Sequence, residues 1–360
     1  MARANFFLTV PASSKTKMRV GIIYDRGEKG RSAHDILSFE GIKNDVHFLR
    51  KSLKATGHEP VIIPLQLDSS DQQYSMGRFF SRIRNSDVDV VFNMCEDING
   101  DSQAEINIPA ILNLMGIPYT GSDIFGLIVT NDKCKTKHIL VREGIPTPRY
   151  RIYHSAQKIS YPLKFPVIVK PNNEDGSFGI DSAAVVRNSE ELEKRVAYVI
   201  QEFRQPALVE EYIEGREFNV SVFGNHPKTE ILPISEILFE NFPENAPKIA
   251  DYNAKWLEES FEYKHTPVKC PVEMDMHLEE RIKAIALKCA RIFRCRDYGR
   301  VDMRVDQKGK PYVIEVNANP DLSPKAGYMR SFLASGRTYE NFINSLVNWA
   351  AARKNGLQIA

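Results

Sequence analysis

Apolar and polar positions alternate with period two through Val301, Met303 and Val305, and again through Ile314 and Val316, on either side of a break at Lys308-Gly309. That is the pattern of two half-buried strands joined by a tight turn. A two-residue turn at Lys308-Gly309 fixes the register, setting Asp302 opposite Glu315 and Arg300 opposite Asn317. Directly opposed residues have Cβ atoms about 4.5–5.5 Å apart, so the two carboxylates repel unless a cation lies between them. Two carboxylates and an amide carbonyl form a hard, incomplete oxygen shell of the kind Mg²⁺ uses when phosphates supply the rest. Arg300, on the same face, suits a phosphate oxygen or a developing oxyanion. A solvated outer face shows the same alternation, which alone does not separate the two readings. The tail Asn317-Ala318-Asn319-Pro320, a third polar group followed by a loop, favours the site.

Upstream the periods change. Met18–Tyr24, Val61–Leu65 and Val88–Cys95 are compact apolar runs of strand length, with helical patterns over 38–56, between the first two, and Ala104–Met115, after the third. Strand–helix–strand alternation implies a parallel, doubly wound unit, with ligands beyond the carboxyl ends of its strands. Those ends carry Asp25-Arg26-Gly27 and Cys95-Glu96-Asp97. A helix follows over Ile124–Gly144, then strands at Phe165–Lys170, Ala183–Arg187 and Ala207–Ile213 around a helix at Ser189–Phe203. Strands at Glu217–Gly224 and Thr229–Phe239 precede a polar loop over 240–268, a helix over Asp275–Phe293, the hairpin, and a closing helix over Tyr339–Ala351.

Composition bounds the class. The 360 residues are 42% hydrophobic and 26% charged with a net charge of +2, values of a soluble globular chain with no obligate nucleic-acid or membrane partner. No apolar run approaches the roughly 20 residues that span a bilayer. Phe6-Phe7-Leu8 is too short for a signal-peptide core, and 1–17 reads as a disordered tail. Five scattered cysteines without metal-ligand spacing suggest reduced thiols and a cytoplasmic setting. Cys95 reads as a small buried residue.

Candidate chemistry gathers near two lysines. Lys170 ends an apolar strand just before Asn172–Ile180, where Gly176 and Gly179 flank Ser177-Phe178. Such loops allow backbone amides to approach phosphate, although a plain hairpin loop has the same composition. Lys133 opens a helical segment with Lys137 one turn on, a placement that the helix dipole does not favour.

These segments, in order, resemble the ATP-grasp superfamily and within it the D-alanine–D-alanine ligase family. The family's hairpin runs Arg-x-Asp … Glu-x-Asn-x-x-Pro-Gly; this chain has Arg300, Asp302, Glu315, Asn317 and Pro320, then Asp321 in place of glycine. The resemblance covers residues 18 to about 350. It implies an α/β ATP-grasp fold: an N-terminal doubly wound parallel α/β domain (18–125) and two α+β domains (126–209 and 210–355) clamping ATP.

It also implies roles. Lys133, Lys170 and Ser177 would hold ATP phosphates; the backbone of Glu210, Glu211 and Ile213 would read adenine; Glu217 would accept from ribose. Asp302, Glu315 and Asn317 would hold Mg²⁺ or Mn²⁺, and Arg300 would stabilise the oxyanion. Lys255 lies in the lid sequence Asp251-Tyr252-Asn253-Ala254-Lys255-Trp256, with Trp256 in place of the family's tyrosine. Glu40, near a helix start, lines up with the glutamate that holds the first substrate's ammonium. Other departures sit at substrate positions: Asp175-Gly176-Ser177 for Gly-Ser-Ser, and Ala326, beside Lys325, for a serine. The implied activity is ATP-dependent carboxylate–amine ligation through an acyl phosphate, with small-molecule substrates and a homodimer as the first candidate assembly. Two alternatives stay open: an authentic D-alanine–D-alanine ligase, and a non-catalytic ATP-binding protein.

Overall fold

The structure, a computed structural model, describes residues 17–27, 33–68, 70–156 and 163–354, with the side chains of 33–40 outside that description. The tail expected over 1–17 lies outside the described residues except for its last position.

The chain opens with β1 (Arg19–Asp25), α1 (Ala33–Ala55), β2 (Glu59–Leu65), α2 (Gln72–Asn85) and β3 (Val90–Asn93). The three strands form a parallel sheet in the order β2-β1-β3, as the alternation implies. A 3-10 turn at Ser102–Ile106 leads into α3 (Asn107–Leu114), where a single helix is expected. α4 (Ile124–Asn131) and α5 (Lys133–Arg142) replace the single helix expected over Ile124–Gly144. The break is Asp132, extended at φ −100° and ψ 98°, whose carboxylate caps α5 by accepting from the Lys135 amide at 2.9 Å.

Next come β4 (Tyr150–Tyr153), β5 (Val167–Pro171), β6 (Val185–Val186), α6 (Ser189–Phe203) and β7 (Ala207–Glu211), an antiparallel sheet in the order β4-β7-β5-β6. Its alternation decides what faces where. Val167, Val169, Ala207 and Val209 pack under Leu192, Val196 and Val199 of α6. Ile168, Lys170 and Glu210 point to the other side and line a cleft. The domain boundary expected after residue 209 falls inside β7.

The third sheet holds β8 (Gly215–Phe223), β9 (Glu230–Ile231) and β10 (Ser235–Ile237). Pro233 interrupts the strand expected over Thr229–Phe239, since proline donates no ladder hydrogen bond. The loop expected over 240–268 contains α7 (Tyr252–Trp256) and α8 (Phe261–Lys264), held by ring contacts such as Phe242–Phe261 at 5.4 Å. β11 (Val268–Lys269), α9 (Met276–Ile292), β12 (Tyr298–Asp306), β13 (Pro311–Asn317), α10 (Gly327–Ala334) and α11 (Tyr339–Lys354) follow. The sheet order is β11-β10-β8-β12-β13, with β9 on β8. Phe342, Leu346 and Val347 of α11 share one core with Val20, Leu49 and Phe92, so the last described helix closes the first domain.

Candidate active site

The hairpin pairs Asp302 with Glu315 and Arg300 with Asn317, the expected partners, but by a different route. The loop is three residues, not two: the Asp306 amide donates to Lys310 O at 3.0 Å, and Gly309 takes a φ of 75°. That positive φ is the left-handed conformation which closes three-residue hairpins and favours glycine. Met303 therefore faces Val313, and the register slips by one residue between Met303 and Asp302. Ile314 is the extra residue, a β-bulge that restores the pairing at Asp302–Glu315. The bulge also corrects an expectation, because Ile314 turns away from the core and lines the cleft beside Glu315.

The cleft runs between the open faces of the second and third sheets. One wall carries Ile168, Lys170 and Glu210; the other carries Glu217, Asp302, Arg304, Ile314 and Glu315. Lys255 of α7 and Ser177 of the glycine loop close one end. Glu211 and Ile213 also line it. The Glu211 amide is already spent on Arg149 O at 2.9 Å, and the Tyr212 amide on Pro166 O at 3.2 Å. The Glu210 side chain is buried between two lysines: Lys170 Nζ at 2.5 Å from Oε1 and Lys137 Nζ at 2.5 Å from Oε2.

Cations answer the repulsion across the hairpin. Arg300 grips Asp302 with two hydrogen bonds, Nε to Oδ1 at 2.7 Å and Nη2 to Oδ2 at 2.8 Å, and Asn219 Nδ2 adds a third at 2.8 Å. Lys133 Nζ lies 2.6 Å from Glu315 Oε1 and 3.3 Å from Asp175 Oδ1, and also donates to Glu174 O. Burial pushes the Glu315 carboxyl up, but Lys133, Lys255 and Arg300 outweigh it and hold it well below the usual carboxylate range. Asp175 goes the other way: burial and the Glu315 charge raise it, although Lys133 pulls it down. The shared lysine thus serves Glu315 first. Burial and Arg300 lower Lys255, and burial raises Glu217 despite Arg304 3.5 Å away. Asn317 Oδ1 accepts from the Asn319 amide at 2.8 Å.

The glycine loop and the lid are joined. Ser177 Oγ donates to Ala250 O at 2.7 Å, so its hydroxyl is engaged with the lid segment. Trp256 Nε1 donates to Gly176 O at 2.8 Å, and the Phe178 ring lies 5.4 Å from Tyr252. Glu40 sits two turns inside α1, which starts at Ala33, so the expected helix-start position is corrected; its side chain lies outside the described residues. Cys95 is buried, as expected.

Several participants escape the sequence reading. Asn219 and Arg304 complete the polar face of the third sheet. Glu217-x-Asn219-x-Ser221, alternating with Phe218, Val220 and Val222, carried that signal. Asn319 joins domains, donating to Cys95 O at 2.9 Å and Glu105 Oε2 at 2.8 Å while accepting from Tyr298 OH at 3.0 Å.

Comparison with known proteins places this geometry. The crystal structure of D-alanine–D-alanine ligase from Bacillus anthracis complexed with ATP matches with a TM-score of 0.70 at 25% identity, covering 95% of this chain and 99% of that one. The fold is ATP-grasp. The family profile described as D-ala D-ala ligase C-terminus matches residues 140–348. The D-alanine–D-alanine ligase of Alcanivorax borkumensis is 31% identical over 250 residues, 69% of this chain and 74% of that one. That of Halalkalibacterium halodurans is 28% identical over 339 residues, 92% and 98%. A Sinorhizobium fredii protein described as uncharacterized is 36% identical over 267 residues, 74% and 76%. The chain belongs to the D-alanine–D-alanine ligase family.

Proposed function

We propose that the protein is an ATP-dependent carboxylate–amine ligase that activates a small carboxylic acid as its acyl phosphate and passes it to an amine. One observation carries this reading: Arg300, Asp302, Glu315 and Asn317 stand opposed on one hairpin, beside a cleft that also holds Lys170 and Lys255. Binding a nucleotide would not demand that set; moving a phosphoryl group does.

The donor chemistry fits a divalent metal. Two carboxylates and an amide carbonyl are hard oxygen donors, and their charge is met here by Arg300 and Lys133 rather than left buried alone. Asp302, Glu315 and Asn317 would hold Mg²⁺ or Mn²⁺, which would neutralise charge on the β- and γ-phosphates. Ile168, Ile314 and Ile249 would sandwich the adenine, Glu217 would accept from ribose, and Lys133, Lys170 and Ser177 would hold phosphate oxygens. A substrate carboxylate oxygen attacks the γ-phosphorus, and the bond to the ADP oxygen breaks. The amine nitrogen then attacks the acyl carbon, inorganic phosphate leaves, and the nitrogen gives up a proton. Arg300 would stabilise the oxyanion of that second step, and Lys255 would meet the transferring phosphate.

Substrate recognition differs from the family pattern. Gly176 and Ala326 supply no hydroxyl, Trp256 enlarges an apolar wall, and Asp321 adds a negative charge. These changes favour an acceptor that is larger than D-alanine or carries an extra cationic group. Cytoplasmic placement belongs to this reading, supported by five unpaired cysteines. The names of the relatives carry a narrower second reading, ligation of two D-alanines. ATP-dependent phosphate release across a panel of amino acids and amino-containing acids tests both: release with D-alanine alone selects the narrower one, and release with no substrate pair overturns both.

A further inference from the structure

Lys137 has no part in the reading above, yet it is among the most deeply buried charges described. Its side chain is 2% exposed, and its Nζ sits 2.5 Å from Glu210 Oε2, itself 1% exposed. The other oxygen of the same carboxylate takes Lys170 at 2.5 Å. Lys137 Nζ also donates to Thr147 Oγ1 at 2.9 Å, and Thr147 in turn donates to Val313 O at 2.8 Å, so the ammonium is fixed by α5, β7 and the metal hairpin together. Burial pulls the Lys137 ammonium down, with Glu210 opposing.

The charge balance gives this placement a consequence. A lysine paired one-to-one with a carboxylate is a neutral unit and presents a weak field to an anion beyond it. Here one carboxylate is shared by two ammonium groups, and the surplus positive charge falls on the side where Lys170 meets the cleft. Taking a buried charge out of water is costly, so a second buried lysine is kept only where its partners repay it. Glu210 repays it, and Lys170 is left with charge to offer.

We propose that Lys137 is a positioning residue that neutralises Glu210 from behind, so that Lys170 presents its full charge to the nucleotide phosphates. The proposal rests on the nucleotide site described above. Without Lys137, Glu210 turns wholly to Lys170 and withdraws it from phosphate. Lys137 touches no reacting atom in this account.

Calorimetric titration of the full chain with ATP, ADP and adenosine, in the presence of Mg²⁺, tests it. Lys137→Met lowers ATP affinity about tenfold, the scale of one charge-assisted hydrogen bond. The loss shrinks from ATP to ADP and vanishes for adenosine. Lys137→Met/Glu210→Gln restores ATP affinity, because Lys170 then faces no carboxylate. This double variant leaves only Lys170, at the edge of the cleft, without a carboxylate partner, and keeps the test decisive if Lys137→Met alone does not fold. An equal loss for all three ligands, unchanged ATP affinity in Lys137→Met, or no rescue in the double variant overturns the proposal and leaves Lys137 a purely structural ion. Wild type that binds no ATP, or Lys170→Met that binds it normally, overturns the nucleotide site itself.

Discussion

Lys133 Nζ lies 2.6 Å from Glu315 Oε1, so a cation from the start of α5 answers half of the carboxylate pair across the hairpin while Arg300 answers the other half. Three sequence segments meet in that contact, because Lys133 also touches Asp175 of the glycine loop. The hairpin is therefore the point at which α5, the glycine loop and Lys255 of the lid share one set of charges.

Glu315→Gln removes the charge that Lys133, Lys255 and Arg300 all serve. Turnover falls by ~10²-fold or more, the scale of losing one preorganised electrostatic group. The fold persists, since Gln keeps the shape and the core of β13 is Val313 and Val316. Phosphate release together with the melting temperature checks both parts. Undiminished Mg²⁺-dependent release removes the metal assignment.

Lys133→Ala and Lys170→Ala each weaken ATP binding. Lys133→Ala also lowers stability, because it removes the nearest cation from Glu315 and Asp175 and leaves Lys255 and Arg300 alone to serve Glu315. Calorimetry and thermal melts separate the two effects. Normal ATP affinity in both variants contradicts the phosphate assignment.

Gly176 and Trp256 are a matched pair. Gly176 has a φ of 61°, and a Cβ there would lie 3.3 Å from both Trp256 Cζ2 and Phe178 Cε2. Gly176→Ser restores the family's hydroxyl, but costs about 1–2 kcal/mol for the left-handed backbone, and its Cβ presses on the Trp256 and Phe178 rings. Adding Trp256→Tyr relieves the Trp256 share of that contact. Melts of the single and double variants show partial recovery; a Gly176→Ser variant as stable as wild type contradicts it.

On the proposed reading Asp321 acts on substrate choice, and D-alanine is expected to be a poor acceptor, because losing a hydrogen-bonding partner in a site built for one can cost discrimination of ~10⁴ or more. Asp321→Gly shifts preference away from cationic acceptors. The comparison is phosphate release by both proteins over one substrate panel, and rapid wild-type turnover with D-alanine alone would show this account wrong.

Asp45 supplies a pH signature. Burial, with the Asp321 charge added, raises its carboxyl from 3.8 to about 6. Between those values the folded chain holds a proton that the unfolded chain has released, so stability falls as pH rises through the window. Asp45→Asn removes that dependence. Its melting temperature exceeds wild type above pH 6, and the gap closes toward the ordinary carboxyl value. A gap that is constant with pH contradicts the assignment.

Much of the site was legible because it rests on local pattern. Arg300, Asp302, Glu315 and Asn317 sit at period-two positions of one hairpin, and Lys170 ends a strand whose apolar face is plain. The bulge was not legible: a third loop residue and the extra Ile314 offset each other, so the correct partners emerge from an incorrect turn. Contacts across long separations were hidden for a different reason. The Trp256–Gly176 hydrogen bond spans 80 positions, and the Lys137–Glu210 pair joins a helix to a strand of another segment. Their partners are set by packing between elements, which no local period encodes. Helix α2 went unread although Ser75, Phe79 and Ile83 form one buried stripe that a helical period carries, whereas the division of α4 from α5 depends on the single cap at Asp132.

The central claim is acyl-phosphate ligation at the metal hairpin, and its most direct test is phosphate and ADP release by the wild-type chain given ATP, Mg²⁺ and a panel of amino acids and amino-containing acids, with Glu315→Gln run in parallel. The account predicts stoichiometric ADP, phosphate and amide product with at least one pair, strictly dependent on Mg²⁺ or Mn²⁺ and lost in Glu315→Gln. Tight ATP binding with no release for any pair, or release that is the same in Glu315→Gln, would contradict it.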